Sequence, residues 1–136
     1  MPEPYLISFP KLGDEAFGYI SVAEQLQYIP FEVKRTFWTY KTPEYIVRGR
    51  HAHYRTEQVL VAAAGRIIVT TENVRGDIQF FRLEDPSVGL YVPPHVWHTM
   101  QYSDCAVQLA FASHPYDEKD YIRSRDEFRQ VWRTAL

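Results

Sequence analysis

In the run "VRGRHAHYRTEQVLVAAAG", His51 and His53 stand one residue apart, and Glu57 follows four positions after His53. On a strand, positions i and i+2 share a face, so both imidazoles point the same way, and continued alternation puts Glu57 with them. A further histidine, His98, follows the Pro-rich turn in "GLYVPPHVWHTM". Two chemistries suit such a set. Imidazole nitrogens and a carboxylate form a donor set for a divalent transition metal. An imidazole, with an unperturbed pKa of ~6.5, is also the natural base for moving protons near neutral pH. A single histidine on a strand is ordinarily a satisfied or solvent-facing side chain. An inward-facing pair with a distant partner is costly unless it is used.

The elements that must position these residues are strands. The runs "FGYISVAE", "EVKRTFWTY", "EYIVRGRHAHY", "QVLVAAAG", "RIIVTTE", "DIQFFRL", "VGLYVPP" and "AVQLAFAS" are strand-length, with Gly, Pro, Asn or Asp at the breaks. "TTENVRGDI" reads as a hairpin connection. An aromatic content of 15% suits a pleated surface, on which flat and β-branched side chains pack well. The pattern predicts an all-β sandwich or barrel. The tail differs: Phe128, Val131, Trp132 and Leu136 fall at helical spacing, and Ser124 with Glu127 makes a capping box. A short helix over about 124–134 is expected to cover an edge or an open end of the sheets.

At 136 residues the chain is long enough to close one core, so a single domain is expected over 1–136, its core at about 29–113. A net charge of -2 supplies no basic field for nucleic acid or anionic lipid. No stretch approaches the ~20 apolar residues of a membrane span. The start, "MPEPYLISFPKLGDE", has no basic region followed by an apolar core, and Cys105 has no second cysteine to pair with. These features predict a cytoplasmic protein. A free thiol beside no identifiable base is a small hydrophobe rather than a nucleophile.

Together the histidine segments match the two halves of the cupin pattern: G-x-H-x-H-x3-E-x7-G from Gly49 to Gly65, then G-x3-P-x4-H from Gly89 to His98. The expected fold is therefore a cupin, a double-stranded β-helix or jelly-roll barrel, with a short C-terminal helix. A closer resemblance lies in "PFEVKRTFWTY", "RGRHAHYRTEQVLV", "VGLYVPPHVWHTM" and "YDEKDYIRSRDEF". In order and spacing these resemble the dTDP-sugar 3,4-ketoisomerases, small cupins of bacterial deoxysugar pathways, from about Ile29 to Phe128.

That resemblance implies an enzyme that acts without a metal or other cofactor and uses a histidine of the HAH run as base. The implied substrate is dTDP-4-keto-6-deoxyglucose, whose carbonyl moves from carbon 4 to carbon 3 through an enediol(ate). It implies His51 and His53 as the catalytic pair, with exchangeable roles, and His98 as a residue that orients the sugar or protonates the opposite side. Arg35 and Arg48 are expected to hold the diphosphate. Alternation turns Arg50 away from the histidines, and Gln58 away from the face of Glu57. Relatives are homodimers in which an N-terminal strand crosses to the partner. The sequence departs from the family at Phe17, where Arg or Tyr is usual, and at Phe37 and Trp38, where tyrosines are expected. These departures bear on the configuration at carbon 4, for which His98 favours galacto. Two other readings stand beside the isomerase: a metal-dependent cupin enzyme using His51, His53, Glu57 and His98, and a nucleotide-sugar binding module without catalysis.

Overall fold

The computed structural model describes residues 2–135, with side chains through Val131. The chain opens with β1 (Tyr5–Ser8), β2 (Lys11–Asp14) and β3 (Gly18–Ser21), then β4 (Arg35–Tyr40) and β5 (Val47–His53). There follow β6 (Gln58–Ala64), β7 (Ile67–Glu72), β8 (Ile78–Leu83) and β9 (Val88–Val92). The last strands are β10 (Trp97–Tyr102), β11 (Val107–Ala112) and β12 (Tyr121–Ile122), before helix α1 (Arg125–Ala135). Two five-stranded sheets result, in the orders β1-β9-β6-β11-β4 and β12-β5-β10-β7-β8, while β2 and β3 form a separate hairpin. This is the cupin jelly roll expected from the sequence. The anticipated strand segments all appear, and "TTENVRGDI" is the β7–β8 connection.

The main core lies between the sheets. Leu60, Leu90, Val92 and Ala110 come from the first, and Ile67, Val69, Leu83 and Met100 from the second. The outer face of the first sheet is covered by Phe9, Ile29 and Phe31, which pack on Val59, Val61 and Tyr91. The outer face of the second is covered by α1, whose Phe128 joins Ala52, Trp97 and Ile122, with Val131 at the margin. Helix α1 is capped as expected at Ser124, whose Oγ accepts from the Glu127 amide at 3.2 Å. The Glu127 carboxylate does not reach back to complete the box; it accepts from the Tyr54 hydroxyl at 2.6 Å and ties the helix to the sheet. Trp132 and Leu136 lie outside the described side chains. Among the described residues no helix is long and apolar enough to cross a membrane.

One irregularity matters for function. His98 pairs with His51, but the next residue of β10, Thr99, pairs with Gly49, so Arg50 has no partner opposite it. Gly49 and Arg50 both take positive φ, at 84° and 58°. This is a bulge, an extra residue that bends the strand and resets its alternation. Because of it, Arg48 and His51 face the same cavity although they are three residues apart. Arg50 turns to solvent, as expected. A Cβ at Gly49 would stand 2.9 Å from the His98 carbonyl oxygen, so glycine is required there by both φ and space.

Candidate active site

The two histidines of the HAH run share a face of β5, with ring centroids 4.9 Å apart. His98 is 4.7 Å from His51 and 6.0 Å from His53, measured between ring centroids. Although His98 belongs to the second half of the cupin pattern, β10 is the immediate neighbour of β5, and His98 is the cross-strand partner of His51. All three imidazoles therefore stand on one wall.

Backbone carbonyls fix the tautomers of two rings. The Nδ1 of His51 lies 3.0 Å from the Gly49 oxygen and that of His98 lies 3.1 Å from the Val96 oxygen. A carbonyl can only accept, so each neutral ring carries its proton on Nδ1 and keeps a basic lone pair on Nε2. The Nε2 atoms of His53 and His98 are buried and have no hydrogen-bond partner. Burial is also the main influence on proton affinity. It pushes His98 down to about 3, helped by the neighbouring His51. It pushes His53 down to about 2, with further repulsion from His98, His51, Arg35 and Arg123. His51 is lowered as well, chiefly by burial, while the Gly49 carbonyl and the Glu118 carboxylate pull it back up. At neutral pH the cluster is thus a set of uncharged bases.

Glu57 is not part of this cluster. Strand β5 ends at His53, and residues 54–57 carry the chain to the opposite sheet, so alternation does not continue across the gap. Glu57 instead accepts from the Tyr91 hydroxyl at 2.6 Å. The potential metal-ligating nitrogens of His51, His53 and His98 lie within 4.8 Å of one another, without a carboxylate. Gln58, which simple alternation turned away, faces the cavity.

A cavity of about 240 Å³ opens in front of the histidines. His51, His98, Arg48 and Tyr121 line it from one sheet, and Phe37, Thr39, Gln58 and Gln108 from the other. His53 is 3% exposed and sits behind His51 rather than on the cavity surface. Arg35 stands at the start of β4 on the same side as Phe37, 5.4 Å from its ring and 5.6 Å from that of Tyr116. Its Nε is buried and unpartnered, the state of a cation prepared for an anion. Of the residues that depart from the family pattern, only Phe37 faces the cavity. Trp38 points to solvent, and Phe17 is 93% exposed at the β2–β3 turn.

Two groups were not legible beforehand. Tyr121 packs on both histidines, with centroids 5.0 Å from His51 and 4.5 Å from His53. Arg123 covers Tyr121 at 4.4 Å and is held by Glu118 through bonds of 2.6 and 2.9 Å. Asp120 is buried behind the turn after His53, where it accepts from the amides of Arg55 and Thr56 and from the Thr56 hydroxyl. Arg55 adds an ion pair to Asp120 at 3.6 Å, which gives it a structural role. Tyr121 pairs with His53 along β12, a strand too short to announce itself in the sequence.

Comparison with known proteins agrees with this geometry. The family described as FdtA: WxcM-like, C-terminal, matches residues 3–133. A TDP-4-oxo-6-deoxy-alpha-D-glucose-3,4-oxoisomerase from Aneurinibacillus thermoaerophilus is 42% identical over 132 residues, covering 94% of this chain and 91% of that protein. A histidine-to-asparagine mutant of the 3,4-ketoisomerase QdtA from Thermoanaerobacterium thermosaccharolyticum, solved with TDP-4-keto-6-deoxyglucose, superposes with a TM-score of 0.94. It is 32% identical, with 100% of this chain and 98% of that one covered. The WlaRB TDP-quinovose 3,4-ketoisomerase from Campylobacter jejuni gives a TM-score of 0.89 at 30% identity, covering 96% of this chain and 99% of the other. The chain belongs to the sugar 3,4-ketoisomerase family.

Proposed function

We propose that this protein moves the carbonyl of TDP-4-keto-6-deoxyglucose from carbon 4 to carbon 3. The observation that carries the reading is the His51 ring, which lines a closed-in cavity with its proton fixed on Nδ1 by the Gly49 carbonyl. Its Nε2 is then the base. The hydrogen on carbon 3 is acidic because it is next to the ketone. Nε2 takes that proton, the C3–H electron pair forms the C3=C4 bond, and the oxygen on carbon 4 gains negative charge. A proton is then delivered to carbon 4 and the proton on the carbon 3 oxygen passes to the carbon 4 oxygen, which leaves a ketone at carbon 3 and a hydroxyl at carbon 4 without net gain or loss of atoms or electrons. Carbons 3 and 4 are adjacent, so one imidazole wall can serve both transfers. His51 makes the contact; His53, packed edge-on behind it, is the partner that holds its ring and shares the proton.

His98 orients the sugar from the same wall, and its presence supports a galacto product. Arg35 and Arg48 hold the diphosphate. Arg35→Ala is expected to raise KM for the TDP sugar about 10-fold or more, with a smaller change in kcat, because the lost contact is made equally in ground and transition states. Steady-state kinetics at fixed ionic strength checks this. The working form is a cytoplasmic homodimer with an exchanged N-terminal strand. In a single chain β1 already pairs with β9, so the support for a second copy comes from the β2–β3 hairpin, which leaves Leu12, Phe17 and Ile20 exposed.

The three imidazoles are also a nitrogen donor set that suits a divalent cation, which supports a metal-dependent enzyme as the second reading. Assay of chelator-treated protein separates the two. Full conversion of TDP-4-keto-6-deoxyglucose to the 3-keto sugar supports direct histidine catalysis. Conversion that returns only with added metal overturns it.

A further inference from the structure

The enediolate needs a hydrogen-bond donor for its oxygen, and none of the residues assigned so far supplies one from the wall facing His51. We propose that the side-chain amide of Gln58 is that donor, a catalytic role that rests on the isomerase reading above.

Gln58 begins β6 and is 3% exposed, in a run whose next residues, Val59 to Ala62, are apolar and buried. A primary amide in such a place costs free energy unless it is hydrogen-bonded. Its side chain lines the cavity that His51 and His98 line from the opposite sheet. Two other polar groups of the cavity are engaged within the protein: Gln108 accepts from the Tyr102 hydroxyl at 3.2 Å, and His98 is tied to the Val96 carbonyl. Gln58 therefore presents an amide donor to the space that a ligand would occupy.

Its position suits the sugar. Through the backbone register, Ala112 of β11 stands between Gln58 on one side and Arg35 on the other. The amide is one strand away from the cation assigned to the diphosphate, and across the cavity from the base. A substrate anchored at Arg35 and presenting carbon 3 to His51 has the amide on its far side. An amide N–H aimed at the oxygen on carbon 4 stabilises charge that is absent in the ground state and present in the enediolate. Because the residue is largely buried and held by the strand, its amide has little to reorganise during the reaction.

The test compares wild type, Gln58→Met and Gln58→Glu. Met keeps the length and removes the donor; Glu keeps the shape and turns donor into acceptor. Each is measured for kcat and KM on TDP-4-keto-6-deoxyglucose, for TDP affinity by calorimetry, and for melting temperature. The expected result for Gln58→Met is a fall in kcat of about 100-fold or more, with TDP affinity within about threefold of wild type. Gln58→Glu falls further, since a carboxylate repels the oxyanion. If Gln58→Met does not fold, Gln58→Glu alone decides: a folded variant with near-wild-type kcat sinks the proposal. A Gln58→Met variant that keeps kcat within about fivefold, or loses only KM, also overturns it. Absence of turnover by wild type would instead overturn the isomerase reading and the proposal with it.

Discussion

His51→Asn is expected to lower kcat by about 10²–10⁴-fold, the range in which a positioned general base contributes. Asparagine can still donate to the Gly49 carbonyl and occupies much of the same space, so the fold and TDP binding should persist while turnover fails. His53→Asn should cost less, because His53 supports the base from behind and does not line the cavity. The pH dependence of wild type has a definite sign. His51 must be neutral to act, and its proton affinity is lowered from the ordinary histidine value, mainly by burial. The acid limb of kcat/KM therefore falls below pH ~6.5 rather than above it. A rate that already falls between pH 7.5 and 6.5 would contradict an uncharged His51 at rest. Stopped-time NMR assays of wild type and both variants across pH decide the point.

The second large effect is on stability. His53 is held down to about 2 and His98 to about 3, while both titrate near the ordinary histidine value of 6.5 when unfolded. Between those limits the unfolded chain binds protons that the folded chain refuses. Stability is then fully present above pH 6.5 and is lost as pH falls below it. Each group contributes a slope of about 1.4 kcal/mol per pH unit, so the two remove roughly 4 kcal/mol between neutrality and pH 5. Against a typical total of ~5–15 kcal/mol, that is a large fraction. Urea denaturation at pH 7.5 and pH 5.0 measures it directly. His98→Asn should remove about half of the slope; an unchanged midpoint in wild type would show that the cluster accepts protons in the folded state.

How much of this was legible in the sequence depends on which signal each residue carries. The strands with apolar or alternating patterns, from β4 to β9 and β11, stand out because one or both faces are buried. The capped tail likewise announces α1. Strand β10, "WHTMQY", shows no clean alternation because both of its faces mix polar and apolar side chains: His98 and Met100 face the cavity while Trp97 packs on Phe128. Strand β1 is short and lies at a sheet edge, and β12 has only two residues, so neither shows a period.

The site shows the same division. His51 and His53 are readable because i and i+2 on a strand share a face whatever the fold. Arg48 was identified through resemblance; its direction depends on the bulge at Arg50, which no strict alternation anticipates. Glu57 and Gln58 exchange their expected places because the chain changes sheets between His53 and β6. Tyr121, Arg123 and Glu118 come from a loop and a strand far along the chain, and only the β5–β12 pairing brings them to the histidines. What failed, in each case, was local periodicity applied across a break that tertiary structure imposes.

A histidine of the HAH run removes the proton on carbon 3 of a TDP-linked 4-keto sugar, and carbon 4 takes a proton that has exchanged with solvent. The most direct measurement is NMR of TDP-4-keto-6-deoxyglucose incubated with chelator-treated protein in deuterated water. The expected result is a 3-keto product with deuterium on carbon 4, whose couplings report the galacto configuration, and no such product with His51→Asn. Folded wild-type protein that yields neither product nor exchange at carbon 3 would contradict it.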